Sequence, residues 1–472
     1  MVIKEIHSHS LKQSNREKTL AETLFLSLSS LEAPFLLESG HGKVSDSNRY
    51  SFAGAAPFLT MESEGDKINI YREGKRSTSY GNPFTALHSL LKEFPAEPRE
   101  DFPFTGGAVG YIGYEAGEHI ESMPERKADN FSAPDIHLGF YDTIFIYDHL
   151  QSTLFLSSTG YPEKGAKRRE RAKERVKQFS DLIYNRKESG PDESRMGKVS
   201  SNFDRKAYLN EVEKIKKYIE SGDIYQANLS HRFSASFEGT PFSLYRRFTS
   251  ANPVPFSACL ELPGLSIISN SPERFLALRG NRIESRPIKG TISRSADKSE
   301  DILRKKALRE SEKDRAEHIM IVDLVRNDLG RVCKYGTIKA DSLMDIESYA
   351  NLHHMVSTVS GEINEGIGPV DCIKAAFPGG SITGAPKVRA MEIIHEIEQC
   401  PRWIYTGSIG YIGFDGSMDL NIAIRTAFIK EGKVYFSTGG GIVADSIPES
   451  EYEETLLKGE IFKNIASGFK EK

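Results

Sequence analysis

Cysteine is scarce in this chain, and none of it is arranged for a metal. The four thiols, Cys259, Cys333, Cys372 and Cys400, are scattered, with no Cys-x-x-Cys pair and no histidine at ligand spacing. That argues against a structural zinc site and for reduced thiols in a cytoplasmic protein. No apolar run approaches the ~18 residues that span a bilayer. The start, Met1-Val2-Ile3-Lys4-Glu5, lacks the apolar stretch of a secretory signal. A formal net charge of -4 over 472 residues gives no drive toward nucleic acid or an anionic membrane. The regular βαβ alternation of a Rossmann fold is missing, as is any internal repeat. The segment Gly379-Gly380-Ser381-Ile382-Thr383-Gly384-Ala385-Pro386-Lys387 fails as a phosphate loop. Ala385-Pro386 intervenes before the lysine, Pro386 has no N–H to donate, and Val388 stands where a metal-binding hydroxyl is needed.

What is present is ample core-forming material: 38% hydrophobic and 27% charged residues. The length suits about three domains or one large two-lobed unit. Asn82-Pro83 opens a helix carrying Phe84, Leu87, Leu90, Leu91 and Phe94 at helical spacing. Tyr141 to Leu156 reads as two strands around Asp148-His149. The glycines between Gly106 and Gly117 imply closely packed backbones. A charged helix from Glu163 to about Lys187 runs into the breaker-rich Glu188 to Ser194, the best boundary in the chain. We therefore expect an N-terminal lobe over 1–200 and a catalytic region over 201–472. Tyr208, Val212, Ile215 and Ile219 mark a helix ending near Gly222. Ser311-x-x-Asp314 opens another, running to about Asn327 with Gly330 as its stop, and a last helix begins near Pro448. Helices mixed with hairpin-linked strands indicate an α+β fold with large antiparallel sheets.

Lys289, in Arg286-Pro287-Ile288-Lys289-Gly290-Thr291, would ordinarily be an exposed turn lysine. Held on a stiff backbone and desolvated, the same amine becomes a nucleophile. A hairpin about Gly280-Asn281 brings Glu273 level with Ile288 or Lys289, and only the second register puts both side chains on one face. Turns at Asp415-Gly416 and Glu431-Gly432, if tight, set Arg425 beside Thr438, at the mouth of Gly439-Gly440-Gly441. An arginine and successive backbone N–H groups suit a carboxylate or a phosphate, although three glycines alone are usually just a turn. Glu451, Glu454 and Lys458 share one face of the last helix, and Glu317 lies on the helix opened by Ser311. If these faces converge, their oxygens suit Mg²⁺.

The segments Pro287-Ile288-Lys289-Gly290-Thr291, Asp314-Arg315-Ala316-Glu317-His318, His353-His354-Met355-Val356-Ser357, Gly384-Ala385-Pro386-Lys387, Ile424-Arg425-Thr426, Gly439-Gly440-Gly441-Ile442-Val443-Ala444-Asp445 and Glu451-Tyr452-Glu453-Glu454-Thr455 resemble, in order, those of the chorismate-utilising enzymes. They cover about residues 200 to 465; Leu36-Leu37-Glu38-Ser39 and Arg49-Tyr50-Ser51-Phe52 resemble the family's first lobe more loosely. The resemblance implies a two-lobed α+β fold with orthogonal antiparallel β-sheets flanked by helices. It implies Mg²⁺ between Glu317, Glu454, Glu451 and the ring carboxylate of chorismate. It implies an enolpyruvyl-carboxylate clamp of Arg425, Tyr411 and the backbone of Gly439, Gly440 and Gly441. His354 would stand near the leaving hydroxyl or ring carboxylate, Lys458 would support the substrate, and Ser381 and Thr383 would line the ring.

The lysine chooses the branch: anthranilate synthases usually carry Ala there, whereas aminodeoxychorismate synthases with Pro-Ile-Lys-Gly-Thr use it covalently. The resemblance then implies that Lys289 adds at C2 as the C4 hydroxyl leaves, with Mg²⁺ stabilising the departure. Ammonia next adds at C4 and displaces the lysine, with Glu273 as general acid/base. No amidotransferase nucleophile elbow is visible, so ammonia is expected from a separate glutaminase subunit or from free ammonium. Leu37, Glu38, Ser39 and Tyr50, with Pro253 and Phe256 of Asn252-Pro253-Val254-Pro255-Phe256, resemble a tryptophan pocket, in the form closer to anthranilate synthases. Anthranilate synthase component I is the nearest alternative, and a non-catalytic carboxylate-binding regulator an alternative of another class.

Overall fold

A computed structural model describes residues 1–6, 20–39, 48–184, 194–251, 253–349 and 351–467. Two antiparallel sheets, of thirteen and twelve strands, dominate it. Central strands such as Gly107–Ile112, Ile136–Tyr141, Thr143–Asp148 and Ser408–Gly413 are buried along nearly their whole length because both faces are covered. Phe35, Phe52, Ile144, Ile146, Ala258, Leu260 and Ile267 point from the larger sheet into an inter-sheet core. Their neighbours Leu36, Ala53, Phe145, Cys259 and Ile268 point to the opposite face. The smaller sheet contributes Val109, Tyr111, Ile409 and Tyr411 to the shared core. Period-two alternation thus feeds two cores at once.

Helices close both outer faces. Leu20–Leu28, Gly165–Tyr184, Pro241–Ala251 and Pro448–Ser467 pack on the larger sheet. Pro83–Glu93, Glu312–Gly330 and Pro369–Ala376 pack on the smaller. The expected caps form. Asn82 accepts from the N–H groups of Phe84 and Thr85, and Ser311 accepts from that of Asp314. Gly330 does not end its helix as a left-handed stop; it lies in the last turn, and Arg331 caps it. The crowding around Gly110 is literal: it faces Gly410 across the ladder, and a Cβ would lie 2.0 Å from the His137 carbonyl oxygen.

Each sheet draws strands from both sides of residue 200, so that point does not divide one sheet from the other. The breaker-rich segment chosen as the boundary lies, but for Ser194, outside the described residues. Among the described residues no helix is long and apolar enough to cross a membrane.

Candidate active site

Pro287 ends the strand Arg282–Arg286, and the chain resumes as Ile288–Ser293 paired with Leu352–Glu362. Between Ile288 and Thr291 this ladder slips by one residue: Ile288 faces Val356 and Thr291 faces His354. Gly290 takes a φ of 81°, open to glycine at little cost, and a Cβ there would meet Asp314 and Leu308 at 3.1 Å. The bulge re-aims Lys289, as bulges beside functional sites do. Its Nζ lies 2.8 Å from Glu317 Oε2, with the lysine side chain only 20% exposed. An ordinary solvated turn lysine does not look like this. One residue beyond Glu317, buried His318 meets the Ser357 hydroxyl at 2.6 Å. Burial, foremost, pushes His318 down to about 4, so a neutral imidazole faces the Lys289 backbone.

The Gly280-Asn281 hairpin forms, but its register corrects the expectation. Ala277 faces Glu284, whereas beyond a bulge Arg274 faces Arg286. Continued by one step, Glu273 is level with Pro287, not with Ile288 or Lys289. The Ser381 hydroxyl donates to Glu273 Oε1 at 2.6 Å, and Glu273 is 4% exposed. Burial raises its carboxyl to about 7, against the Ser381 hydrogen bond, a backbone hydrogen bond from Ile288 and the charge of Lys289. Glu273 therefore acts on Lys289 through the field, while Glu317 holds the amine directly. Thr383 is buried and turns its hydroxyl onto the Gly379 carbonyl at 3.0 Å, which shapes the loop that presents Ser381.

Gly439, Gly440 and Gly441 are neither a turn nor a loop. They lie in the strand Lys433–Ile442 opposite Ser230, Leu229 and Asn228. Their missing side chains make a floor on which other groups converge. A Cβ at Gly441 would stand 2.9 Å from both Lys289 Nζ and Gln226 Nε2, and one at Gly440 would stand 3.3 Å from Glu451 Oε2. Lys458 Nζ donates to the Gly439 carbonyl at 3.0 Å. Gln226 escaped the sequence reading. It is fully buried, with neither amide atom partnered. The signal was there: Gln226, Asn228 and Ser230 alternate with Ala227 and Leu229, and a polar strand face that proves buried marks a site or a network. Arg402 pins this strand beside the Ser381 loop by donating to the carbonyls of Asn228 at 2.8 Å and Ile382 at 2.9 Å.

The tight Glu431-Gly432 turn, with both residues at positive φ, fixes Ala427 opposite Phe436. The ladder ends at that pair: Thr438 faces His231, and Arg425 lies just before the strand at a φ of 48°. Arg425 Nη1 is buried without a hydrogen-bond partner, and burial alone lowers the guanidinium to about 10. His354 binds Thr291 Oγ1 through Nδ1 at 2.8 Å and leaves Nε2 buried and unpartnered. Burial first, then the charge of Arg425, pushes this imidazole down to about 3. A buried cation without a counter-ion costs several kcal/mol, roughly, so such a pair is poised for an anion.

The three glutamates do not close into a cluster: among the described residues no group of three His, Cys, Asp or Glu side chains is placed to hold a metal. Like charges separate and take nearer partners. Glu317 pairs with Lys289, Glu454 with Lys458 at 2.7 Å, and Glu451 accepts from the Ser446 hydroxyl at 2.7 Å. Burial, then the Ser446 hydrogen bond in opposition and the charge of Glu454, leave the Glu451 carboxyl raised. Burial also raises Glu454, but Lys458, Lys289 and Lys313 outweigh it and draw that carboxyl down. The chemistry of the donors, carboxylates on two helices, still fits a hard dication, since Mg²⁺ typically takes only one or two protein carboxylates.

Tyr411 is not part of this constellation. Alternation along Ser408–Gly413 sends its ring into the inter-sheet core, stacked on Phe104 at 4.3 Å. There it lines a separate cleft of about 520 Å³ together with Leu37, Glu38, Ser39, Tyr50 and Phe256. Pro255, not Pro253, lines that cleft.

The model of the family described as chorismate binding enzyme matches residues 34–464. Aminodeoxychorismate synthase component 1 of Bacillus subtilis is 39% identical over 90% of this chain and 89% of its own. Anthranilate synthase component 1 of Geobacillus stearothermophilus is 40% identical over 90% and 87%. The crystal structure of anthranilate synthase component I from Streptococcus pneumoniae superposes with a TM-score of 0.79 at 28% identity, covering 95% of this chain and all of that one. With a bulged lysine, an unpaired arginine and a glycine floor within one such fold, the chain belongs to the chorismate-binding enzymes.

Proposed function

We propose that the protein is component I of an aminodeoxychorismate synthase, which converts chorismate and ammonia to 4-amino-4-deoxychorismate in p-aminobenzoate and folate biosynthesis in the cytoplasm. The observation that carries this reading is the enclosed Lys289 amine, turned by its bulge over Gly441 beside Gln226. An amine in that position suits addition at C2 of the ring as the C4 hydroxyl leaves. Ammonia then adds at C4 and expels the lysine, which divides one hard displacement into two. Arg425 and His354 present unpartnered N–H capacity to a substrate carboxylate or hydroxyl. Glu273, balanced between acid and base near neutrality, accepts the proton that Lys289 or the incoming ammonia must lose. Glu317, Glu451 and Glu454 would hold Mg²⁺, which when bound would supply Lewis-acid charge beside the ring carboxylate.

The "component 1" names of the relatives support a separate glutaminase subunit as the ammonia source. The cleft at Leu37, Glu38, Ser39, Tyr50 and Phe256 has an apolar, aromatic lining that suits an amino acid such as tryptophan. Near-equal identity to anthranilate synthases supports that activity as the second reading. Incubation with chorismate, Mg²⁺ and ammonium separates the two. Aminodeoxychorismate without pyruvate is expected; anthranilate with pyruvate would sink the proposal. Saturable chorismate binding without turnover would mark a non-catalytic regulator.

A further inference from the structure

We infer that a further small-ligand site lies between the turn Tyr114–His119 and the helix Lys387–Ile397, and that it takes a short protonated alkylamine. The two elements flank a partly open cleft. Glu115, 7% exposed, lines it. Its Oε1 accepts the Arg402 backbone N–H at 2.7 Å, while its Oε2 is buried with no partner. The adjacent Tyr114 hydroxyl is likewise buried and unpartnered. Two neighbouring oxygens, one carboxyl and one phenol, lack hydrogen-bond partners beside one cleft, and both accept from an N–H donor once Glu115 is ionised.

The charges decide what kind. Every cation along the cleft is already engaged. Arg126 is held by Glu118 at 2.9 Å and Asp135 at 2.8 Å, and Arg402 by Glu398 at 2.6 Å. Lys127 donates to the carbonyls of Glu396 and Glu398 at 2.7 and 2.6 Å. Among the described residues Glu115 has no ion-pair partner. Burial, partly offset by the charge of Arg126, raises it to about 8, so the empty cleft keeps it as a neutral acid. On binding, Glu115 releases its proton to solvent, and an ammonium group then donates to the ionised Oε2 and to the Tyr114 oxygen and balances the charge so formed. Met123, Met391 and Ile394 offer apolar wall to a short alkyl stem. Lys127 shows the same corner accepting an alkylammonium, at the carbonyl end of the helix.

The test is calorimetric titration of the full chain, without chorismate, with n-propylammonium chloride. Saturable binding is expected in the wild type. It should weaken at least tenfold in Glu115→Gln, which keeps the acceptor for the Arg402 N–H, and remain unchanged in Glu273→Gln. Tyr114→Phe, which removes one acceptor only, should weaken it about threefold and serves if Glu115→Gln fails to fold. Absence of saturable binding, equal affinity for 1-propanol, or loss in Glu273→Gln rather than Glu115→Gln would overturn the inference.

Discussion

Two clefts of this molecule are built from similar residue types and differ in how those residues are occupied. In the cleft beside Tyr50 and Phe256, the charges that are not exposed to solvent are matched by protein. Arg49 pairs with Asp148 at 2.6 Å, Asp419 with Arg274 at 2.9 Å, and Glu38 accepts from Tyr245. In the candidate active site, Arg425 Nη1, His354 Nε2 and both amide atoms of Gln226 are left without partners in buried positions. A satisfied cleft recognises by shape and apolar area. An unsatisfied one stores electrostatic free energy that only a polar substrate releases, and such stored energy is what catalysis draws on.

The sharpest break in this contrast is Lys289→Met. Loss of the amine should lower turnover of chorismate with ammonium at least about 10³-fold. Intact-mass measurement should show no protein–substrate adduct; one that persists would mean another nucleophile. Next comes Arg425→Met, which should raise KM for chorismate about 10²-fold. The same change should raise the thermal unfolding midpoint, because the unliganded protein no longer buries an uncompensated charge. A fall in that midpoint would mean that the arginine is structurally paired.

Glu273→Gln is the third test. If its carboxylate is the base, wild-type kcat/KM rises through about pH 7, and the variant should lose both that limb and about 10²-fold in rate. Stability carries the opposite sign. With a folded value near 7 against an ordinary 4.5, the folded protein holds the extra proton, so wild-type stability declines relative to the variant from about pH 4.5 to 7. Below that window and above it the difference no longer changes with pH. The smallest effect belongs to the satisfied cleft. Phe256→Ala should weaken tryptophan binding about tenfold, as loss of one aromatic contact does, while ammonium-dependent turnover without tryptophan stays near wild type. A parallel loss of turnover would show that the two clefts are not independent.

Much of the site was legible because local chemistry dictated it. Helix starts at Asn82 and Ser311 followed from caps, and hairpins from Gly280-Asn281 and Glu431-Gly432. Where the reading slipped, a single residue of register was at stake. A bulge between Arg274 and Ala277 carried Glu273 from the level of Ile288 to that of Pro287, and a second between Ile288 and Thr291 re-aimed the Lys289 amine toward Glu317. Bulges have no reliable sequence signature, because the sheet as a whole sets them. Tyr411 was misplaced for a related reason: alternation gives two faces, but not which core each face meets.

By itself, then, the sequence determined the inventory: antiparallel sheets, capped helices, a lysine beside a glycine, an arginine near three glycines, and motifs in an order that one family shares. Local propensity and short-range spacing suffice for that, since they depend on neighbours along the chain. Only the tertiary structure decided which charges meet. It gave Lys289 to Glu317, left Arg425 without a counter-ion, separated the three glutamates and brought unforeseen Gln226 over Gly441. Those outcomes depend on burial and on contacts between distant segments, which set the strength of every electrostatic interaction here.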